Sequence, residues 1–124
     1  MDRYHFTVKC KDASPEKIWE FIQNGLSNDV IIKSIKDKVP YNINYITESE
    51  ISFSVKTRND GKPEIITLED FIRIIIGLMK METFNTSTSK PIFRESKVYR
   101  KRSPMFALLV SSGVIEKTLK THQL

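Results

Sequence analysis

The chain has 124 residues, a length that fits one compact domain but is short for two. Its apolar content of 40% and charged content of 28%, with only four glycines and five prolines, exclude a largely disordered chain. No apolar run approaches the roughly 18 residues that a membrane span needs, and the first residues, MDRYHFTVKC, lack the apolar centre of a secretory signal. We therefore expect a cytoplasmic protein with a hydrophobic core and no membrane segment.

The formal net charge of +5 is unevenly distributed along the chain. Residues 1–79 carry 11 Lys and Arg against 12 Asp and Glu, a net charge of −1. Residues 80–124 carry 9 against 3, a net charge of +6. Such asymmetry indicates an anionic partner. Charge alone does not distinguish between nucleic acid, a membrane surface and an acidic protein.

The N-terminal third predicts a strand and two helices. Residues 4–10 alternate polar and apolar side chains, as a half-buried strand does. Ser14-Pro15 is typical of a helix N-cap followed by the first helical turn, and Gly25 is well placed to end that helix. Ser27 or Asn28 could cap a second, short helix through Lys36.

The middle of the chain predicts an antiparallel meander. Residues 41–45 and 51–55 each have an apolar side chain at every second position, which indicates a hairpin. Asp60-Gly61 supplies the positive φ of a turn, after which residues 64–66 can return as a third strand. We expect these strands to form the centre of the fold.

The C-terminal half predicts two helices separated by a loop. Thr67 is positioned to cap an almost wholly apolar helix over residues 68–81. Residues 82–97 are rich in Ser, Thr and cations without a sustained period, which predicts a long basic loop. A last helix is predicted near residues 104–112, and residues 117–124 are predicted to be a frayed tail.

These elements together predict one α+β domain over residues 1–124, with a small antiparallel hairpin or meander sheet packed by three to four helices. Trp19 is predicted to be a core side chain, because its spacing with Ile22 places both on one helical face. Cys10 is the only cysteine, which excludes an internal disulfide and a cysteine-based zinc site. We expect its small side chain to lie in the core.

The stretch KVYRKRSP, residues 97–104, concentrates positive charge against the start of the last predicted helix. With Ser103 as N-cap, a phosphate there would meet free amides, a hydroxyl and guanidinium groups together. The preceding loop adds further cations, with Phe93 and Tyr99 interleaved, a combination suited to phosphates and stacked bases. The predicted nucleic-acid-binding residues are Lys90, Arg94, Lys97, Tyr99, Arg100, Lys101, Arg102 and Ser103.

The sequence therefore predicts a small non-catalytic nucleic-acid-binding protein or accessory domain, for DNA or RNA, with no cofactor, no metal, no catalytic residues and no membrane partner. Three alternatives remain open. The cations could form a solvated face that pairs with the acids of residues 64–70, or a regulatory module could bind an acidic protein. The third is a metal-dependent nuclease that combines Glu95 and Lys97 with Asp70 or Glu82.

Overall fold

The computed structural model describes residues 2–36, 38–94 and 98–119. This part of the chain folds as an α+β domain, as predicted, with two antiparallel sheets of strand order β1-β6 and β2-β3-β4-β5. The helices are α1 Pro15–Gly25, α2 Leu68–Met79, α3 Lys90–Arg94 and α4 Arg102–Ser111. The strands are β1 Tyr4–Phe6, β2 Val30–Lys33, β3 Pro40–Ile46, β4 Glu50–Ser54, β5 Glu64–Thr67 and β6 Ile115–Lys117. None of the described helices is long and apolar enough to span a bilayer.

The predicted meander is confirmed as strands β3, β4 and β5. Alternation of side chains gives the sheet one apolar face, and Pro104 and Leu108 of α4 lie against that face. The opposite face carries small polar side chains; the Asn44 amide, for example, donates to the hydroxyls of Ser52 at 3.1 Å and Ser54 at 2.9 Å. Helix α4 therefore covers one face of the sheet, and polar side chains on the other face form hydrogen bonds with one another.

The predicted second helix over residues 27–36 is wrong, because this segment forms strand β2 at the edge of the sheet. Asp29 has a φ of 61°, which breaks helical geometry immediately before the apolar residues. The β-branched residues that follow then alternate: Ile31 is 61% exposed and Ile32 is 5% exposed. Pairing with β3 also satisfies the backbone of a stretch too short for a stable helix.

Helices α1 and α2 begin at their predicted caps. The Ser14 hydroxyl accepts from the Lys17 N–H at 3.2 Å, and Thr67 caps α2 in the same way. Trp19 is buried as predicted, with its ring edge-to-face on Phe71 at 5.0 Å between centroids. The two helices are thereby fixed to each other and to the sheet.

The predicted loop over residues 82–97 is ordered and partly helical in its described part. Asn85 Oδ1 accepts from the backbone N–H groups of Ser87 and Thr88 at 2.9 and 2.8 Å, a turn that leads into α3. Phe84 and Phe93 are both fully buried and anchor the segment in the core. The expectation that Phe93 stacks on bases is therefore wrong. The sequence does not predict this packing, because Phe84 and Phe93 flank a polar run and belong to no regular apolar period.

The chain ends meet in the small β1-β6 sheet. The predicted strand over residues 4–10 is shorter than expected, and Cys10 lies buried in the turn that follows it. The Thr118 N–H donates to the Arg3 carbonyl at 2.8 Å, so residues 117 and 118 are paired with the N-terminal strand rather than frayed. Residues 120–124 of the predicted tail lie outside the described residues.

Gly77 of α2 sets how closely α3 can approach. A Cβ at this position would lie 2.5 Å from Ile92 Cγ2 of α3. We expect Gly77→Ala to lower the free energy of unfolding by about 1–2 kcal/mol, because overpacking costs about 1–3 kcal/mol and the gain in helix propensity is only about 1 kcal/mol. Urea denaturation followed by circular dichroism measures the change.

The matched control removes the obstructing methyl group. In an Ile92→Ala background the same Gly77→Ala substitution should stabilise the protein through helix propensity alone. A stabilising effect of Gly77→Ala in the unmodified chain would show that α2 and α3 do not pack at this distance.

Candidate functional site

The start of α4 differs from the predicted N-cap. The helix begins at Arg102 after a 3₁₀ turn over Tyr99–Lys101, so Ser103 lies inside its first turn and the predicted cap is wrong. The Ser103 hydroxyl instead accepts from the Tyr41 hydroxyl at 3.0 Å, which joins α4 to the sheet. Pro104 has no N–H, so this terminus offers fewer free amides to an anion than expected.

A cleft of about 750 Å³ opens beside the start of α4. Its walls combine the N-terminal strand, the turn between β2 and β3, the segment before α3, and the start of α4. The cleft-lining residues are Asp2, Tyr4, Ile35, Lys36, Asn85, Thr86, Ser87, Lys90, Tyr99, Arg100, Arg102, Ser103 and Phe106. Five of the eight predicted site residues are therefore brought together here: Lys90, Tyr99, Arg100, Arg102 and Ser103.

Four cations line the cleft against one acid. Among the described residues, Lys36, Lys90, Arg100 and Arg102 form no salt bridge, whereas the acid, Asp2, is 3.3 Å from the ammonium of Lys117. Like charges that share a concave surface repel one another and focus a positive potential into it. The cleft is therefore suited to a polyanion.

Tyr99 and Arg102 form one rigid unit at the rim. The guanidinium of Arg102 lies 4.0 Å from the centroid of the Tyr99 ring, and its Nη1 donates to the Tyr99 carbonyl at 3.0 Å. A hydrogen bond from Arg94, aided by the charge of Arg102, lowers the pKa of the Tyr99 hydroxyl below its usual value. Arg94 therefore contacts Tyr99, a lining residue, although it does not line the cleft itself.

Arg100 and Lys101 are neighbours in sequence but lie in different environments. The Arg100 carbonyl accepts from Arg58 Nη1 at 3.4 Å, and the Arg100 side chain lines the cleft. The Lys101 ammonium donates to the Ile65 carbonyl of β5 at 2.8 Å, outside the cleft. Because β5 is an edge strand, Lys101 occupies a backbone acceptor that another strand could otherwise use.

The acids of residues 64–70 are engaged elsewhere. Glu64 receives both Nε and Nη2 of Arg58, at 3.0 and 2.9 Å, and Glu69 is 3.7 Å from Arg73. Within the described part of the chain, neither acid pairs with a cation of the cleft. The alternative was that acids of residues 64–70 neutralise the basic run. Among the described contacts of these acids and the basic run, only Lys101 binds this segment, and it binds the Ile65 carbonyl rather than an acid.

The two described acids of the nuclease alternative, Asp70 and Glu82, do not line the cleft. Asp70 accepts from the Thr67 hydroxyl at 3.2 Å at the start of α2, and Glu82 does not line the cleft. Glu95 and Lys97 lie outside the described residues. In residues 2–36, 38–94 and 98–119, no group of three or more His, Cys, Asp or Glu side chains is arranged to hold a metal ion.

Sequence reasoning missed Lys36 and the polar wall of the cleft. The Ser34 hydroxyl accepts from the Val39 N–H at 2.8 Å, and this closed turn carries Lys36 to the cleft. No local pattern relates Lys36 to a basic run more than sixty residues later. The polar run Asn85-Thr86-Ser87 was visible in the sequence, but nothing in it indicated which side chains face an anion.

Comparison of the chain with protein-family models, curated protein sequences and solved structures finds no match. The function is therefore argued from the geometry and charge of the cleft alone.

Proposed function

We propose that this protein binds single-stranded nucleic acid, with the phosphate groups held in the cleft. The observation that carries the proposal is the convergence of four cations from separate parts of the chain on one concave surface. Attraction of Lys and Arg to phosphates supplies most of the affinity of such proteins, through release of condensed counter-ions. A concave site of this size suits a flexible strand, whereas a duplex presents a wide convex surface.

The polar wall supports the same ligand. Hydroxyl and amide groups of Asn85, Ser87 and Ser103 line the cleft beside the cations, and such groups commonly bind phosphate oxygens in protein–nucleic acid complexes. The guanidinium of Arg100 adds a planar donor that can bind two phosphate oxygens at once.

Base stacking has a smaller part in this proposal than the sequence alone suggested. Phe93 is buried, and one face of the Tyr99 ring is covered by Arg102. Binding is therefore expected to depend mainly on phosphate and to vary little with base sequence, because phosphate contacts carry no sequence information. DNA and RNA strands of equal length should bind with similar affinity.

Arg100→Ala and Lys101→Ala form a matched pair that tests the proposal. Both variants lose one positive charge at adjacent positions, but only Arg100 lines the cleft. We expect Arg100→Ala to weaken binding of a labelled single-stranded oligonucleotide about tenfold at low salt. Lys101→Ala should change it by about twofold or less, because the Lys101 ammonium is bound to the Ile65 carbonyl outside the cleft. Fluorescence anisotropy measures both affinities.

Salt dependence provides the second readout. The slope of log affinity against log salt should be negative for the unmodified protein and should fall in magnitude by about 0.7 in Arg100→Ala, the contribution of one phosphate contact on a single strand. Equal losses in the two variants would mean that general charge, not the cleft, governs binding. Absence of binding to any strand at low salt would reject the function itself.

A further inference from the structure

We propose that the cleft receives the end of a strand and that its preferred ligand group is a terminal phosphate monoester. This inference rests on the proposed function, because it specifies which part of a nucleic acid the cleft recognises. It depends on the shape of the cleft floor, on the placement of the cations and on the charge that the cleft can hold.

The floor of the cleft is closed. Tyr4 and Phe106 are its buried aromatic lining residues, and their rings lie edge-to-face with 6.4 Å between centroids. The Tyr4 N–H donates to the Phe84 carbonyl at 2.7 Å, and the Phe84 N–H donates to the Tyr4 carbonyl at 2.9 Å. These two backbone hydrogen bonds fix the position of the floor. A strand cannot leave the cleft through this packed base. A strand that ends there needs only the opening.

The cations reach the cleft from three separate segments of the chain. Lys36 comes from the turn between β2 and β3, Lys90 from the start of α3, and Arg100 and Arg102 from the start of α4. A track for a continuous backbone would space its cations along one direction, to match successive phosphates. Cations that converge on one pocket from separate segments instead match one group that exposes oxygens in several directions.

The charge of the cleft also favours a monoester. An internal phosphodiester carries one negative charge, whereas a terminal monoester carries a charge of about −1.5 to −2 at neutral pH and presents three acceptor oxygens. A volume of about 750 Å³ is in the range of small-molecule sites and admits only a short piece of strand. Within so small a volume, a terminal phosphate is the nucleic-acid group that best matches four cations.

The experiment compares single-stranded oligonucleotides of one sequence that differ only at their ends. The set contains a 5′-phosphorylated strand, a 3′-phosphorylated strand, a strand with hydroxyl groups at both ends, and the circularised strand. We expect one or both phosphorylated strands to bind at least tenfold more tightly than the hydroxyl-ended and circular strands, because two or more charge-assisted hydrogen bonds are added. Arg100→Ala should reduce this ratio towards one, while Lys101→Ala should preserve it.

The outcomes separate this inference from the function on which it rests. Equal affinity for all four strands would overturn end recognition and leave strand binding intact. A lack of affinity for every strand would reject both. A further arm, in which adenosine 5′-monophosphate and inorganic phosphate compete with the strand, identifies the source of the phosphate. If adenosine 5′-monophosphate binds as tightly as the phosphorylated strand, the monoester site is supported. The claim that the ligand must be the end of a strand is then overturned.

Discussion

Replacing Phe106 by Ala is expected to lower the free energy of unfolding by about 3–5 kcal/mol, which is among the largest single-residue effects on stability that we expect in this fold. Phe106 is fully buried and is the shared neighbour of three aromatic rings. Its ring centroid lies 6.4 Å from that of Tyr4, 6.0 Å from that of Phe84 and 6.3 Å from that of Phe93. Truncation removes all three contacts and leaves a cavity that these rings can fill only in part.

The same substitution should also weaken ligand binding, because Phe106 lies in the floor of the cleft. Phe71→Ala is the matched control: this ring is also fully buried, but it packs against Trp19 and does not line the cleft. Urea denaturation followed by circular dichroism gives the two stabilities. Oligonucleotide binding is then measured at a low temperature where both variants remain folded.

We expect the two variants to lose similar stability and only Phe106→Ala to lose affinity. A loss of less than about 1 kcal/mol in Phe106→Ala would mean that the aromatic cluster does not form as described. Equal affinities of the two variants would mean that the cleft floor does not position the ligand-binding side chains.

The parts of the fold that could be predicted from the sequence are those set by local chemistry. Ser14 and Thr67 mark helix starts because their hydroxyls accept from amides three residues later. Strand β2 could not be predicted, because a short β-branched run suits either state until a partner strand decides. Residues 74–76 are three consecutive isoleucines, likewise a short β-branched run, and they are helical within the capped α2. The difference between the two runs lies in the pairing of β2 with β3.

In the candidate site, too, local sequence features could be predicted, whereas features set by distant contacts could not. The basic run was evident from composition, but side-chain direction was not: Lys101 is drawn to the Ile65 carbonyl, while the backbone of Arg100 is held by Arg58. Both contacts join residues more than thirty positions apart. No periodicity could therefore have separated the two cations, and the predicted anion seat at the helix N-terminus is replaced by side chains that line the cleft.

Among substitutions of single exposed residues, we expect Lys36→Glu to cause the largest loss of oligonucleotide affinity. The Lys36 side chain is exposed and lines the cleft, yet it lies outside the C-terminal basic run. Lys36→Glu both removes an attraction to phosphate and adds a repulsion. We expect it to weaken oligonucleotide binding by about tenfold to a hundredfold at low salt, with little change in unfolding free energy.

Lys38→Glu is the control, because it makes the same change in net charge two residues away. Lys38 is exposed and does not line the cleft, and its φ of 53° should be about equally unfavourable for Lys and for Glu. A charge outside the cleft acts on the ligand only through solvent, where salt screens it within about 10 Å at 0.1 M. Its effect should therefore be about threefold or less and should disappear as salt rises.

The contrast between Lys36→Glu and Lys38→Glu tests a prediction that only the folded arrangement makes. If the two variants bind equally well, the positive field of the whole chain attracts the ligand and the cleft has no special role. If only Lys36→Glu fails to bind, a residue remote in sequence from the basic run acts together with Arg100 and Arg102. Cooperation between the turn after β2 and the start of α4 is what a preformed anion site requires, because each segment alone presents only solvated charge.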